Sequence, residues 1–105
     1  MHKPLLRDVA PEFAGELCMR LRDAGEHDLA AQVEHLTIVD RCRCGDDFCS
    51  TFYTAPRPNG TWGPLHYTIG LDPGMFYVDV LQGKIVCVEV LSRADIKAKI
   101  HAAIP

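Results

Sequence analysis

The stretch Met75-Phe76-Tyr77-Val78-Asp79-Val80-Leu81-Gln82-Gly83-Lys84-Ile85-Val86-Cys87-Val88-Glu89-Val90-Leu91 reads as two strands joined at Gln82-Gly83. Glycine takes the positive φ that a two-residue hairpin loop demands. With that loop, Asp79 is expected opposite Val86 and Glu89 opposite Phe76. The two acids then point to opposite faces, which argues against a paired acid–base role. The second strand is apolar on both sides, with Val86, Val88 and Val90 on one and Ile85, Cys87 and Leu91 on the other. An antiparallel strand with one wet face should alternate apolar and polar residues. Either helices cover both faces of the sheet, or the valine row meets another molecule.

Upstream, residues 65–71 form a third strand closed by the turn Asp72-Pro73-Gly74. The Pro- and Gly-rich run from Ala55 to Pro64 reads as a long connection. Residues 36–44 and 48–54 alternate well enough for a first hairpin that turns at Gly45-Asp46-Asp47. Before it, Pro11 opens a helix over 11–24, where its missing N–H costs nothing. Phe13, Leu17, Leu21 and Ala24 give that helix one apolar stripe, and Gly25 stops it. A shorter helix over 27–35 completes an αα-hairpin. After the sheet, Ser92 is placed to cap a last helix buried through Ile96, Ile100 and Ile104. The expectation is one α+β domain over 1–105, with two N-terminal helices, a five-stranded antiparallel sheet and a C-terminal helix. Its expected core is Leu17, Leu21, Leu29, Val33, Ile38, Phe52, Ile69, Val78, Ile85 and Ile100.

The 105 residues are 48% apolar and 24% charged, a globular mixture that excludes a disordered chain. A net charge of −3 leaves no basic footprint for a phosphate backbone, so nucleic acid is not an expected partner. No run approaches the roughly 18 apolar residues of a membrane helix, and the start lacks the apolar stretch of a secretory signal. The odd count of five cysteines argues against a secreted disulfide framework, and the cytoplasm is the expected location. No glycine-rich phosphate loop occurs.

Cys42, Cys44 and Cys49 fall within eight residues, whereas Cys18 and Cys87 lie in apolar segments and read as buried thiols. Zinc takes four ligands in a tetrahedron. Cys42-x-Cys44 is tighter than the usual spacing, and His66 or His35 would have to complete the set. With Phe48 and Phe52 turned inward, strand alternation sends Cys49 to the face opposite Cys42 and Cys44. No metal and no other cofactor is therefore expected. A four-residue loop with Cys44 facing Cys49 would instead place all three thiols together.

The run Asp40-Arg41-Cys42-Arg43-Cys44-Gly45-Asp46-Asp47-Phe48-Cys49-Ser50-Thr51-Phe52 resembles a Cys-x-Cys-Gly-x-x-x-Cys signature of short bacterial proteins. Some proteins of this general look are immunity proteins, including those of contact-dependent inhibition systems. The segment Asp79–Ser92 resembles the closing hairpin of small bacterial domains to which no activity is attached. Small size, mild acidity, the lack of a cofactor motif, the two-faced apolar strand and the resemblance to immunity proteins together lead to the expectation of a non-enzymatic, protein-binding module that neutralises a partner toxin by occupying its surface.

The expected contact face is the sheet, with Val86 and Val88 at its centre and Asp46, Asp47, Asp72 and Asp79 on its rim. A basic toxin domain would be steered to such acids, and a second copy of the chain is the other occupant expected there. The alternative is a small zinc-binding protein built on Cys42, Cys44 and Cys49. A catalytic role finds no coherent set of residues.

Overall fold

The computed structural model describes residues 3–58, 60–71 and 76–105. Asp72, expected at the rim of a partner surface, lies outside them. The N-terminal helices are α1 (Leu6–Val9), α2 (Pro11–Asp23) and α3 (His27–Gln32), the last running into a 3₁₀ turn over Val33–His35. Pro11 occupies the first turn of α2, as its missing N–H favours. Gly25, at φ 82°, ends the helix. Its N–H donates to the Arg22 carbonyl and that of Glu26 to the Leu21 carbonyl, at 2.9 and 2.8 Å, which satisfies two otherwise orphaned acceptors. The sequence had indicated two helices. The extra α1 is one turn long, too short for any periodicity to announce it.

The strands are β1 (Asp40–Arg41), β2 (Phe52–Tyr53), β3 (His66–Gly70), β4 (Phe76–Leu81) and β5 (Lys84–Val90), followed by α4 (Ala94–Ala103). They form one five-stranded antiparallel sheet in the order β1-β2-β5-β4-β3. The first hairpin keeps only two residues per strand, because its expected extensions pair elsewhere. Thr37 bridges to Leu5 near the N-terminus, and Cys49 bridges to Leu91 beyond β5. Ser92 does not cap α4. It adopts φ 61°, donates its N–H to the Phe48 carbonyl at 2.7 Å, and leaves Arg93 at the cap position.

The β4–β5 hairpin turns at Gln82-Gly83 as expected, with Leu81 opposite Lys84 and Val80 opposite Ile85. A bulge then intervenes. Asp79 pairs with Cys87 instead of Val86, Val78 with Val88, Tyr77 with Glu89, and Phe76 with Val90. Since side chains alternate, a shift of one residue exchanges the two faces. Without it, Glu89 would face Phe76 and enter the core. With it, Ile85, Val88 and Val90 join Val78, Val80, Phe76 and Phe52 on the side that packs against the helices.

That side meets Leu6, Phe13, Leu17, Leu21, Leu29 and Val33 from the N-terminal segment and Ile96 and Ile100 from α4. Phe13 is central, stacked on Phe76 at 5.4 Å and edge-on to Phe52 at 6.1 Å. Nine of the ten expected core residues are buried, Ile69 on the edge strand β3 being only partly so. Two polar clasps fix the layers. Arg93 reaches Glu16 of α2 with two nitrogens, at 3.1 and 3.2 Å. The Gln32 amide grips the hairpin turn, donating to the Gly83 carbonyl at 2.7 Å and accepting from the Ile85 N–H at 3.0 Å.

Val88 is 0% exposed and Val86 5%, so the valine row is consumed within the chain and offers no open contact face. Asp79 is also buried, at 5%, and cannot rim a surface. Among the described residues, no helix is long and apolar enough to cross a membrane.

Candidate metal centre

Cys42 and Cys44 do not lie on a strand. The chain leaves β1 at Arg41, turns through Gly45 at φ 84°, and returns past Cys49 toward β2. Cys42 is held at the root of this loop by its N–H, which donates to the Thr51 carbonyl at 2.9 Å. The Cys49 N–H donates to the Asp46 carbonyl at 3.2 Å and closes the turn. The sequence reading had Cys49 on the opposite face, because Phe48 was expected to point inward with Phe52. Phe52 is buried, but Phe48 is 52% exposed, so regular alternation has ended before Cys49. The three sulfur atoms converge instead, all within 4.8 Å of one another.

They border a pocket of about 230 Å³ that Arg41, Arg43, Lys97 and His101 also line. α4 closes it. Lys97 donates to the carbonyls of Asp46 and Asp47, each at 2.9 Å, and so pins the tip of the cysteine loop to the helix. Arg41 donates to the Ile104 carbonyl at 2.7 Å and lies 3.5 Å from His101 Nε2. Asp46 and Asp47 are exposed at the loop tip.

Burial pushes the Cys42 thiol up to about 11, and the neighbouring sulfurs of Cys44 and Cys49 add to the rise. Burial acts the same way on Cys49, but hydrogen bonds from the Thr51 side chain and backbone outweigh it and bring that thiol below its ordinary value. His101 is held below the usual histidine range by burial and by the charges of Arg41, Lys97 and Arg43. It is therefore biased toward the neutral imidazole that binds metal.

The histidine at this pocket is not one that the spacing had offered. His66 is on β3, the edge strand farthest from β1, and His35 is in the 3₁₀ turn with an exposed side chain. Sequence reasoning passed over His101 and Lys97 because α4 lies some fifty residues beyond the loop. Their four-residue spacing, which places both on one helix face, was the available signal.

His66 belongs to a second polar group, on the sheet face away from the helices. Its Nε2 lies 3.0 Å from Asp79 Oδ1, which also accepts from the Thr68 hydroxyl at 2.6 Å. Glu89 is hydrogen-bonded to the same carboxylate, contrary to the expected separation of these acids, because the bulge brings both onto one face. That hydrogen bond, together with burial, raises Glu89 to about 7. Trp62 lies beside this group, 6.4 Å from both the His66 and Tyr53 rings, and Arg57 stacks on Tyr53 at 4.9 Å.

The chain matches no family model, and no curated protein or solved structure is significantly similar to it.

Proposed function

We propose that this chain is a non-catalytic metal-binding protein whose Cys42, Cys44 and Cys49 hold one soft divalent cation, zinc being the natural candidate. The convergence of three sulfurs within 4.8 Å carries the reading. Zinc–sulfur bonds of about 2.3 Å in a tetrahedron put sulfurs about 3.8 Å apart, so small loop adjustments suffice. Three thiolates around a divalent cation carry one net negative charge. Arg41, Arg43 and Lys97 line the same pocket and neutralise it. His101, from α4, lines the same pocket, and the fourth position of the tetrahedron would be filled from there or by water.

The test is a zinc titration of the purified chain against a chromophoric chelator. One equivalent should bind tightly to the native chain and be lost in a Cys42→Ser/Cys44→Ser/Cys49→Ser variant. Equal weak binding by both proteins would refute the proposal.

A further inference from the structure

We infer that Cys44 and Cys49 form a peroxide-reactive thiol pair, whose oxidation to a disulfide would also discharge the bound metal. Only the discharge rests on the metal-binding reading; the thiol chemistry stands without it. Cys44 is exposed, whereas Cys42 and Cys49 are partly buried, so an oxidant from solvent meets Cys44 first. The pocket beside it, of about 230 Å³, admits a hydroperoxide, since a water occupies about 30 Å³.

In the first step the Cys44 thiolate attacks one oxygen of hydrogen peroxide. The O–O bond breaks, hydroxide leaves, and sulfenic acid remains. Arg43 and Lys97 line the pocket where that anion is released. In the second step the Cys49 thiolate attacks the Cys44 sulfur and expels a second hydroxide. The two sulfurs together lose two electrons, and with two protons the peroxide becomes two waters.

The loop selects this pair. A disulfide needs sulfurs about 2.05 Å apart, so two that start within 4.8 Å must approach. Residues 43–48 are exposed; Lys97 and the Cys49 N–H hold the loop at Asp46 and Asp47, so the approach falls to Cys44, on the other side of Gly45. Cys42 is fixed at the strand end by its bond to Thr51, and a Cys42–Cys44 link would close a strained ring across one intervening residue. The disulfide leaves Cys42 as the lone thiol of the three, too few for the metal.

The experiment treats the native chain, once metal-free and once zinc-loaded, with one equivalent of hydrogen peroxide. The metal-free chain should lose about 2 Da, regain it with dithiothreitol, and yield a Cys44–Cys49 cross-linked peptide on digestion. The loaded chain should release one zinc per disulfide into a chromophoric chelator. A Cys42–Cys44 or Cys42–Cys49 link, a link through Cys18 or Cys87, or irreversible gain of oxygen in the metal-free chain would overturn the inference. A chain that forms the Cys44–Cys49 link but never binds zinc sustains the thiol pair and removes the metal reading instead.

Discussion

Asp79 and Glu89 share one face of the sheet and one hydrogen bond because β5 carries an extra residue, Val86, opposite β4. The bulge keeps a carboxylate out of the core, but it sets that carboxylate against another. Asp79 stays below its ordinary value: burial acts against ionisation, and hydrogen bonds from Glu89, Thr68 and His66 overcome it. Glu89 absorbs the conflict by holding its proton to about 7.

This pairing predicts a pH dependence of stability. Glu89 is raised from 4.5 to about 7 on folding, so its contribution is complete below about pH 4.5 and is lost as pH rises through 7. Asp79, being lowered, contributes in the opposite sense and loses its share as pH falls. The melting temperature should therefore decline between pH 5 and 8. In Glu89→Gln, which keeps a donor for Asp79 but cannot ionise, that decline should flatten. An unchanged slope in the variant would show that other groups set it.

Val88→Asp should unfold the protein. The side chain is 0% exposed against the helices, and a buried unpaired carboxylate costs several kcal/mol out of a total near 5–15 kcal/mol. Circular dichroism against temperature would check this. A folded variant with a native melting temperature would place Val88 outside the core.

Zinc binding should strengthen steeply with pH. The Cys42 thiol, at about 11, must lose its proton to ligate, and each displaced proton steepens the apparent affinity by about tenfold per pH unit. Three thiols give up to about a thousandfold between pH 6 and 7. Chelator competition at the two pH values measures it, and a slope near zero would mean that the thiols are not the ligands.

Gln32→Ala removes both amide contacts to the hairpin turn, for a loss of about 1–3 kcal/mol. A urea midpoint unchanged from the native chain would show that solvent replaces those contacts without cost.

The legible parts of the chain were those governed by local rules. Pro11 and Gly25 bounded α2, Gln82-Gly83 marked its hairpin, and apolar periodicity located nearly all of the expected core. What escaped was set by a single inserted residue or by distant pairing. No local signal distinguishes Val86 as a bulge, yet it reverses the facing of every later residue in β5. The Cys cluster was legible as a cluster. Its convergence was not, because alternation extrapolated through Phe48 assumed a strand where Cys49 pairs with Leu91 instead. The one sequence-level clue to the bulge was the cost of the alternative register, which would have buried Glu89 beside Phe76.

The grip of Gln32 on Gly83 and Ile85 has a kinetic meaning. These contacts span 51 and 53 residues of chain. They join a helix in the N-terminal third to a turn that could close by itself. A hairpin misaligned by one residue would carry the Ile85 N–H away from the amide, so docking of α3 rewards only the native alignment. The helices thus act as a gauge for a sheet they do not enter. Closing a loop of that length costs more entropy than closing the hairpin itself, so the contacts that check the register are the ones the chain gains over the longer separation.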